Sequence, residues 1–263
     1  MDRDEEIQDD MKPAEEKIIK ETEPQKKSSF QWLTATLLVF LSGLALFWYL
    51  NQPHHDSHLF PLKSLVDPSL VTLKTIDLKE PLKQSWKEHV FKSHTSYQVE
   101  NDSLHALSQG NSSMLYQEVN INLSDRPFLT WEWKAIQFPT HKKSKRLADK
   151  SDNDFAGRVY AIFKGRSPIV ADVIQYVWDD RYPEGTSSDS PFLKNVRILV
   201  VQSGKSDEWV SEKRDLLEDY QKLFGRRPRW PLSAVGVMSD SDNTQTQSEI
   251  YFRNFSVKKL KSG

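Results

Sequence analysis

The chain is 263 residues long, carries 36 basic and 37 acidic residues for a net charge of −1, and contains no cysteine. A nearly neutral charge gives no support for strong electrostatic binding of nucleic acid, and a chain without cysteine has no disulfide scaffold, thiolate zinc site or cysteine nucleophile. The length is sufficient for one well-packed domain with additional segments.

The first 29 residues have the composition of a disordered tail. They contain ten acidic and six basic residues and few apolar ones. A segment with so little apolar surface to bury does not fold alone. We therefore predict that residues 1–29 form a disordered acidic tail.

Residues Phe30–Leu50 form an uncharged and mostly apolar stretch of 21 residues. A helix rises about 1.5 Å per residue, so about 20 apolar residues cross the hydrocarbon core of a bilayer. Trp32 lies near one end and Trp48 near the other, as in the aromatic belts of membrane helices. The sequence predicts a transmembrane helix at 30–50, with a buried core helix and a cleaved signal peptide as the alternatives.

The basic residues around this stretch predict its orientation. Lys26 and Lys27 come shortly before it, whereas the next basic residue after it is Lys63. Because positive charge is enriched on the cytoplasmic side, we expect a cytoplasmic amino terminus and an uncleaved signal anchor. An exported domain without disulfides suits a bacterial periplasm. We therefore expect a bacterial inner-membrane protein whose carboxy-terminal domain is periplasmic.

Residues 51–68 contain three histidines and three prolines and predict a linker. The folded domain follows at 69–263. Short alternating or β-branched runs predict about ten strands, and the clearest are VTLKTIDL (71–78), SMLYQEVNINL (113–123), FLTWEWKAIQF (128–138), DFAGRVYAIFKG (154–165), VIQYVW (173–178), VRILVVQSG (196–204), AVGVMSD (234–240) and SEIYFRNFSVKKL (248–260).

One helix is predicted at about 211–224. Leu216, Leu217, Tyr220 and Phe224 share one helical face, and Gly225 is a typical helix stop. Many short strands with one helix leave little room for long crossover connections. The predicted fold is a mainly β, antiparallel, jelly-roll-like β-sandwich with one helix, preceded by a single transmembrane helix.

The first candidate binding residues are Trp131 and Trp133. Alternation along a strand places both rings on the same face. Two neighbouring indoles on a sandwich face are suited to stacking against sugar rings. The alternative is that both rings belong to the core, which the apolar neighbours Leu129 and Ile136 favour.

The second candidates are Asp154 and Arg158, at the beginning of an apolar strand. A charged residue buried in such a strand needs a partner, because an unpaired buried charge is costly. The pair is interpreted either as a clamp for a ligand or as a structural ion pair between arginine and a carboxylate.

The third candidate is a calcium site at Asp240, Asp242 and Asn243. Oxygen ligands at this spacing suit a hard cation. The loop is not an EF-hand, because Gln245 replaces the expected glycine and Tyr251 replaces the final glutamate. The alternative is a turn whose aspartate and asparagine side chains bond to their own backbone.

Enzyme activity has little support in the sequence. A glycosidase needs two facing carboxyl groups about 5–10 Å apart, and the candidate pairs are Glu132 with Asp154 and Asp179 with Asp240. No histidine lies in a motif that suggests a catalytic triad. We therefore expect binding rather than catalysis.

Several short motifs occur in one order along the domain: W-x-W-K at 131–134, D-x-D-F-A-x-R-V-Y at 152–160, V-V-x-S-G at 200–204, F-G-x-x-P at 224–228 and M-x-D-x-D-N-T at 238–244. This series resembles the bacterial domain of unknown function 3047 family over about residues 85–258. The resemblance implies an exported β-sandwich protein of the bacterial envelope and implies no activity. The acidic tail and the retained anchor depart from the usual member.

The sequence therefore predicts a membrane-anchored periplasmic β-sandwich that binds a glycan-like ligand without catalysis. Its expected partners are the membrane and an envelope glycan or envelope proteins, and nucleic acid is not expected. The alternatives are an enzyme that acts on envelope polysaccharide through paired carboxylates, and a structural component of an envelope assembly.

Overall fold

The computed structural model describes residues 67–78, 85–142, 146–147, 149–164, 171–206 and 208–261. The predicted tail, the stretch Phe30–Leu50 and nearly all of the predicted linker lie outside these residues. Within the described part of the chain, no helix is long and apolar enough to cross a membrane.

Thirteen strands and one α-helix follow one another along the described chain. In order they are β1 (Leu70–Thr75), β2 (Trp86–Val90), β3 (Ser96–Glu100), β4 (Ser103–Gln109), β5 (Ser113–Ile121), β6 (Phe128–Gln137), β7 (Gly157–Lys164), β8 (Ala171–Asp179), β9 (Ser187–Asp189), β10 (Val196–Ser203), β11 (Val210–Asp215), α1 (Leu216–Phe224), β12 (Leu232–Met238) and β13 (Gln247–Leu260). Short 3₁₀ turns lie at Leu123–Asp125 and Lys150–Asp152.

The strands form two sheets, which confirms the prediction of a mainly β fold with one helix. The six-stranded sheet has the order β11-β6-β13-β4-β3, and β1 also pairs with β13. The seven-stranded sheet has the order β2-β5-β12-β7-β8-β10-β9. Aromatic side chains from both sheets meet between them, since the ring of Trp131 on β6 lies 5.6 Å from that of Tyr176 on β8. The two sheets therefore share one core.

One pair of strands departs from the antiparallel arrangement that the sequence predicted. β10 pairs with β8 in the parallel direction, whereas β9 pairs with β10 in the antiparallel direction. Parallel neighbours need a crossover connection, because both strands begin at the same edge of the sheet. The chain between β8 and β10, which includes the short β9, supplies that connection.

The predicted helix begins later than expected. Residues Val210–Asp215 pair with β6 as strand β11, and α1 begins only at Leu216. The side chain of Asp215 accepts hydrogen bonds from the backbone N–H groups of Leu217 and Glu218, so it caps the first turn. The predicted end is confirmed, because Gly225 adopts a φ of 66° and terminates the helix.

Candidate functional site

Trp131 and Trp133 lie in the core rather than on an exposed face. Both side chains are fully buried, and the ring of Trp133 lies 5.4 Å from that of Trp178 on the opposite sheet. No ring face is open to a ligand, so the prediction of a stacking platform at these two residues is corrected. Alternation along β6 did place them on one face, and that face is the one shared with the second sheet.

A groove runs across the outer face of the seven-stranded sheet, which faces away from the core. It consists of two adjoining cavities of about 600 Å³ and about 330 Å³. Both cavities are lined by Phe91, Tyr160, Gln175, Leu193 and Val196. We call the two cavities together the outer groove. Cavities of about 300–1,000 Å³ are typical of ligand sites.

Cross-strand register arranges the floor of the outer groove. Gly236 on β12 stands between Tyr116 on β5 and Tyr160 on β7, and Tyr160 in turn stands beside Gln175 on β8. A Cβ atom on Gly236 would lie 3.0 Å from the carbonyl oxygen of Leu115. Gly236 therefore allows close packing at the centre of the floor, between the two tyrosines.

Apolar side chains at the rim of the outer groove are exposed to solvent. Phe91 and Phe192 are each 55% exposed, and Leu193 is 58% exposed. Phe91 follows β2, and the other two residues lie in the crossover between β8 and β10. Exposed apolar side chains grouped around a cavity are typical of binding surfaces.

The smaller cavity has a polar end, which we call the polar pocket, lined by Asn153, Arg158, Asp240, Asp242 and Asn243. The Arg158 guanidinium donates to Asp240 through Nε at 2.9 Å and through Nη2 at 2.5 Å. Its Nη1 donates to the side chain of Gln175 at 2.8 Å. The structure thus joins Arg158 and Asp240, which the sequence analysis had assigned to two separate sites.

The electrostatics of this pair follow from burial. Arg158 and Asp240 are 3% and 1% exposed. Burial raises the pKa of Asp240 to about 7, although the guanidinium of Arg158 opposes the rise. The nearby carboxylates of Asp154 and Asp242 add to it. The ion pair is therefore the alternative that the sequence analysis gave for Arg158, with Asp240 as the partner in place of Asp154.

Asp154 holds a loop and presents no free oxygen to the polar pocket. Its carboxylate accepts from the backbone N–H and hydroxyl of Thr244 at 2.6 and 2.7 Å, and from the Asn243 side chain at 2.9 Å. The residue is fully buried. Its predicted role as a ligand contact is corrected to that of a structural acceptor for the turn at 241–245.

A cation site has partial geometric support. One oxygen from each of Asp154, Asp240 and Asp242 lies within 4.8 Å of the others. Asp154 and Asp240 already accept several hydrogen bonds, so a cation would compete with Thr244 and Arg158 for the same oxygens. Calcium at Asp240, Asp242 and Asn243 stays a prediction.

Each carboxyl group of the two candidate catalytic pairs has partners of its own. Glu132 lies on the six-stranded sheet and pairs with Arg253 at 2.5 Å, whereas Asp154 lies before β7 on the other sheet. Asp179 pairs with Arg181 at 2.7 Å, and Asp240 pairs with Arg158. Glu132 with Asp154 is therefore corrected, because the two residues belong to different sheets, and Asp179 with Asp240 stays a prediction.

Sequence reasoning missed most of the outer groove. Tyr160 follows Arg158 by two positions on β7, so alternation places both on the same face. That signal was available in the sequence. No sequence signal indicated that Phe91 and Phe192 line the groove. Both lie beyond strand ends and reach the groove only through the path of the chain.

Comparisons with known proteins concern the fold. No curated protein matches the chain. The family 11 carbohydrate-binding module of the cellulase Lic26A-Cel5E of Clostridium thermocellum is 7% identical, with 72% of this chain and 94% of that chain covered and a TM-score of 0.36. The xyloglucanase domain of NopAA from Sinorhizobium fredii is 13% identical, with 65% and 92% covered and a TM-score of 0.40. Scores of this size carry no inference about a ligand.

The family match is more extensive than these structural similarities. Residues 84–256 match the family described as protein of unknown function (DUF3047), in agreement with the resemblance found in the motifs. The match covers β2 to β12 and the larger part of β13, and it includes every residue of the polar pocket. The chain belongs to the DUF3047 family.

Proposed function

We propose that the domain is a binding module and that its ligand is a glycan chain lying in the outer groove. The observation that carries this proposal is the grouping of exposed aromatic rings, Phe91 and Phe192, beside a pocket of hydrogen-bonding side chains. The two cavities adjoin, so the groove gives an elongated ligand continuous space from the polar pocket across the sheet.

The chemistry of the outer groove suits a sugar chain. A sugar ring has apolar C–H faces that pack against aromatic rings, and hydroxyl groups that both donate and accept hydrogen bonds. Phe91 and Phe192 supply the rings, while Asp242 and Gln175 supply polar groups in the same cavity. Ligand sites typically combine an apolar lining with a few polar groups that fix orientation.

The membrane anchor belongs to the same proposal. Phe30–Leu50 would hold the domain at the periplasmic surface of a bacterial inner membrane, with residues 1–29 in the cytoplasm. Membrane fractions washed at alkaline pH test this, since a transmembrane protein stays in the pellet. Release of the full-length chain by that wash would contradict anchoring.

A glycan array tests the binding function directly. The full-length chain would be applied in a detergent without sugar head groups, because such head groups would compete for the groove. We expect binding to a restricted set of glycans, lowered about tenfold or more by Phe192→Ala. Ile136→Ala is the matched control, because Ile136 is 47% exposed on the other sheet.

Two results would contradict the proposal. One is the absence of binding to every glycan on the array. The other is equal loss of binding in the Phe192 and Ile136 variants, which would place the ligand elsewhere. Binding to an envelope protein in place of glycans would favour the structural alternative.

Calcium is proposed as a second ligand of the polar pocket, on the strength of the carboxylates that gather there. A ligand that binds the folded state raises its melting temperature. Millimolar calcium, compared with magnesium and with a chelator, should therefore raise the melting temperature of the full-length chain. An unchanged melting temperature would contradict calcium binding in the polar pocket.

A further inference from the structure

A buried amide donor in the polar pocket has no partner. Asn153 is 3% exposed and is one of the residues that line the smaller cavity. Among the described residues, nothing accepts a hydrogen bond from its Nδ2 atom. An unsatisfied buried donor costs about 1–3 kcal/mol, and a ligand that supplied an acceptor would recover that cost.

The orientation of this amide is fixed by its neighbour. The Nη2 atom of Arg158 donates to the side-chain oxygen of Asn153 at 3.2 Å and to its backbone oxygen at 2.5 Å. A guanidinium has no acceptor, so the amide atom that faces it must be Oδ1. The unpaired Nδ2 is therefore a donor, and it requires an acceptor on the ligand.

The acceptors around the same pocket come from carboxylates. Asp240 and Asp242 line it, and Asp242 is only half-buried. Arg158 is the cation among the described lining residues, and its N–H groups already donate to Asp240, Gln175 and Asn153. Lys92 lies outside the lining and donates to the backbone oxygen of Asp242 at 3.3 Å. In the calcium-free pocket, an anionic group would thus meet carboxylates without gaining a free cation from the lining residues.

We propose that the polar pocket holds a neutral sugar ring of the glycan and excludes uronic acids. One sugar oxygen accepts from Asn153 Nδ2, and a neighbouring hydroxyl donates to the carboxylate of Asp242. A carboxylate group could accept from the amide but could not donate to Asp242. This inference rests on the proposed function, because it assigns one end of the outer groove to one class of sugar.

Calorimetry on the full-length chain with defined hexasaccharides tests the assignment. The neutral probes are cellohexaose, maltohexaose and chitohexaose, and the acidic probe is hexagalacturonate. We expect at least one neutral probe to bind at least about tenfold more tightly than the acidic one, which corresponds to a difference of about 1.4 kcal/mol in binding free energy.

Asn153→Asp is the decisive variant. It has nearly the same size and keeps an oxygen facing Arg158, but it removes the Nδ2 donor. We expect affinity for the neutral probe to fall about tenfold or more. The new carboxylate is buried near Asp154 and Asp240, so the melting temperature is measured at the same pH to establish that the variant is folded. Asn120→Asp is the matched control, since Asn120 is exposed on β5 outside the polar pocket, and it should bind as the wild type does.

A second variant keeps the inference testable if Asn153→Asp does not fold. Asp242→Asn removes one negative charge from the pocket and should narrow the gap between the neutral and acidic probes. Wild-type affinity in Asn153→Asp, or equal binding of both probe classes by the wild type, would overturn the inference and leave the glycan groove standing. Binding of no saccharide at all would overturn the proposed function and this inference together.

Discussion

The outer faces of the two sheets differ in how their side chains are satisfied. On the six-stranded sheet the two ring nitrogens of His105 lie 3.1 Å from Glu100 and 2.9 Å from Glu249, and Arg253 pairs with Glu132. On the seven-stranded sheet, apolar residues surround the outer groove, and the amide of Asn153 has no partner within the described structure.

This difference separates a solvent face from the proposed binding face. Both faces arise from the same alternation along strands, so the secondary structure does not distinguish them. Side chains that pair with one another on an exposed sheet leave little for a ligand to satisfy. A ligand gains free energy where it covers exposed aromatic rings and accepts a hydrogen bond from a buried, unpaired donor. This difference between the two outer faces is the reason for placing the candidate site on the seven-stranded sheet.

The largest expected effect compares one ion pair from each face. Arg158→Met removes the partner of the buried Asp240, and at a pH above about 7 it should cost about 3–5 kcal/mol of unfolding free energy. Arg253→Met makes the same change where the arginine side chain is 31% exposed. Its expected cost is about 1 kcal/mol, because Arg253 is partly exposed and the Glu132 carboxylate keeps hydrogen bonds from Ser211 and Asn254. Urea unfolding of both variants measures the contrast, and equal losses would contradict it.

Glu212 is a buried carboxyl group on the inward side of the six-stranded sheet, and it makes stability depend on pH. Burial raises the pKa of Glu212 to about 8, with Glu184 adding to the rise and Arg214 opposing it. The folded state retains a proton that the unfolded state has released, so the stability from this group is complete below about pH 4.5 and is lost as the pH rises through about 8.

Glu212→Gln should therefore be more stable than the wild type at about pH 9, by on the order of a few kcal/mol, with the difference shrinking toward about pH 4. Urea unfolding across this range measures the trend. Glu118 is the outward comparison: the ammonium of Lys87 lowers its pKa, so its substitution by glutamine should give a small trend of opposite sign. A difference between Glu212→Gln and the wild type that does not change with pH would contradict the burial argument.

Substitutions at two glycines compare the inner and outer sides of the seven-stranded sheet. A Cβ atom on Gly157 would collide with the Ile250 side chain in the core, so Gly157→Ala should cost about 1–3 kcal/mol. A Cβ atom on Gly236 would lie 3.0 Å from the carbonyl oxygen of Leu115 and 3.1 Å from Met114 Sδ in the groove floor, which are tight contacts rather than a collision. Gly236→Ala should cost less stability and should lower glycan affinity, as thermal melting and calorimetry would show. The reverse order of stability would contradict the assignment of these faces.

The smallest stability effect is expected at the rim of the outer groove. Phe192→Ala should change the unfolding free energy by about 0.5 kcal/mol or less, because the ring is 55% exposed. Its effect on binding should be much larger than its effect on stability. A large loss of stability in urea unfolding would mean that the ring supports the fold rather than a ligand.

The sequence predicted where the strands and the helix lie better than it predicted which face of each strand meets the core. Alternation identified β5, β6, β7 and β13, and Gly225 marked the end of α1. The beginning of α1 was wrong, because the charged run before Asp215 is compatible with a helix and also with an edge strand against β6. Local pattern cannot report a partner strand that lies far away in the chain.

The candidate site shows the same limit. Arg158, Asp240, Asp242 and Asn243 were all selected from the sequence, and the structure gathers them around one pocket. For Trp131 and Trp133 the sequence left both a binding face and the core open, because period two states which residues share a face but not which face meets the second sheet. Asn153 carried no signal, since its unpaired donor is defined only by the contacts around it.

Hydrogen–deuterium exchange on the full-length chain, with and without the tightest-binding hexasaccharide, tests the central claim most directly. With the hexasaccharide bound, we predict slower exchange at β7, β8 and the crossover at 190–195. Exchange at β4, and at the part of β13 that pairs with β4, should not change. Protection confined to the six-stranded sheet, or no protection at saturating hexasaccharide, would contradict the assignment of the outer groove as the binding face.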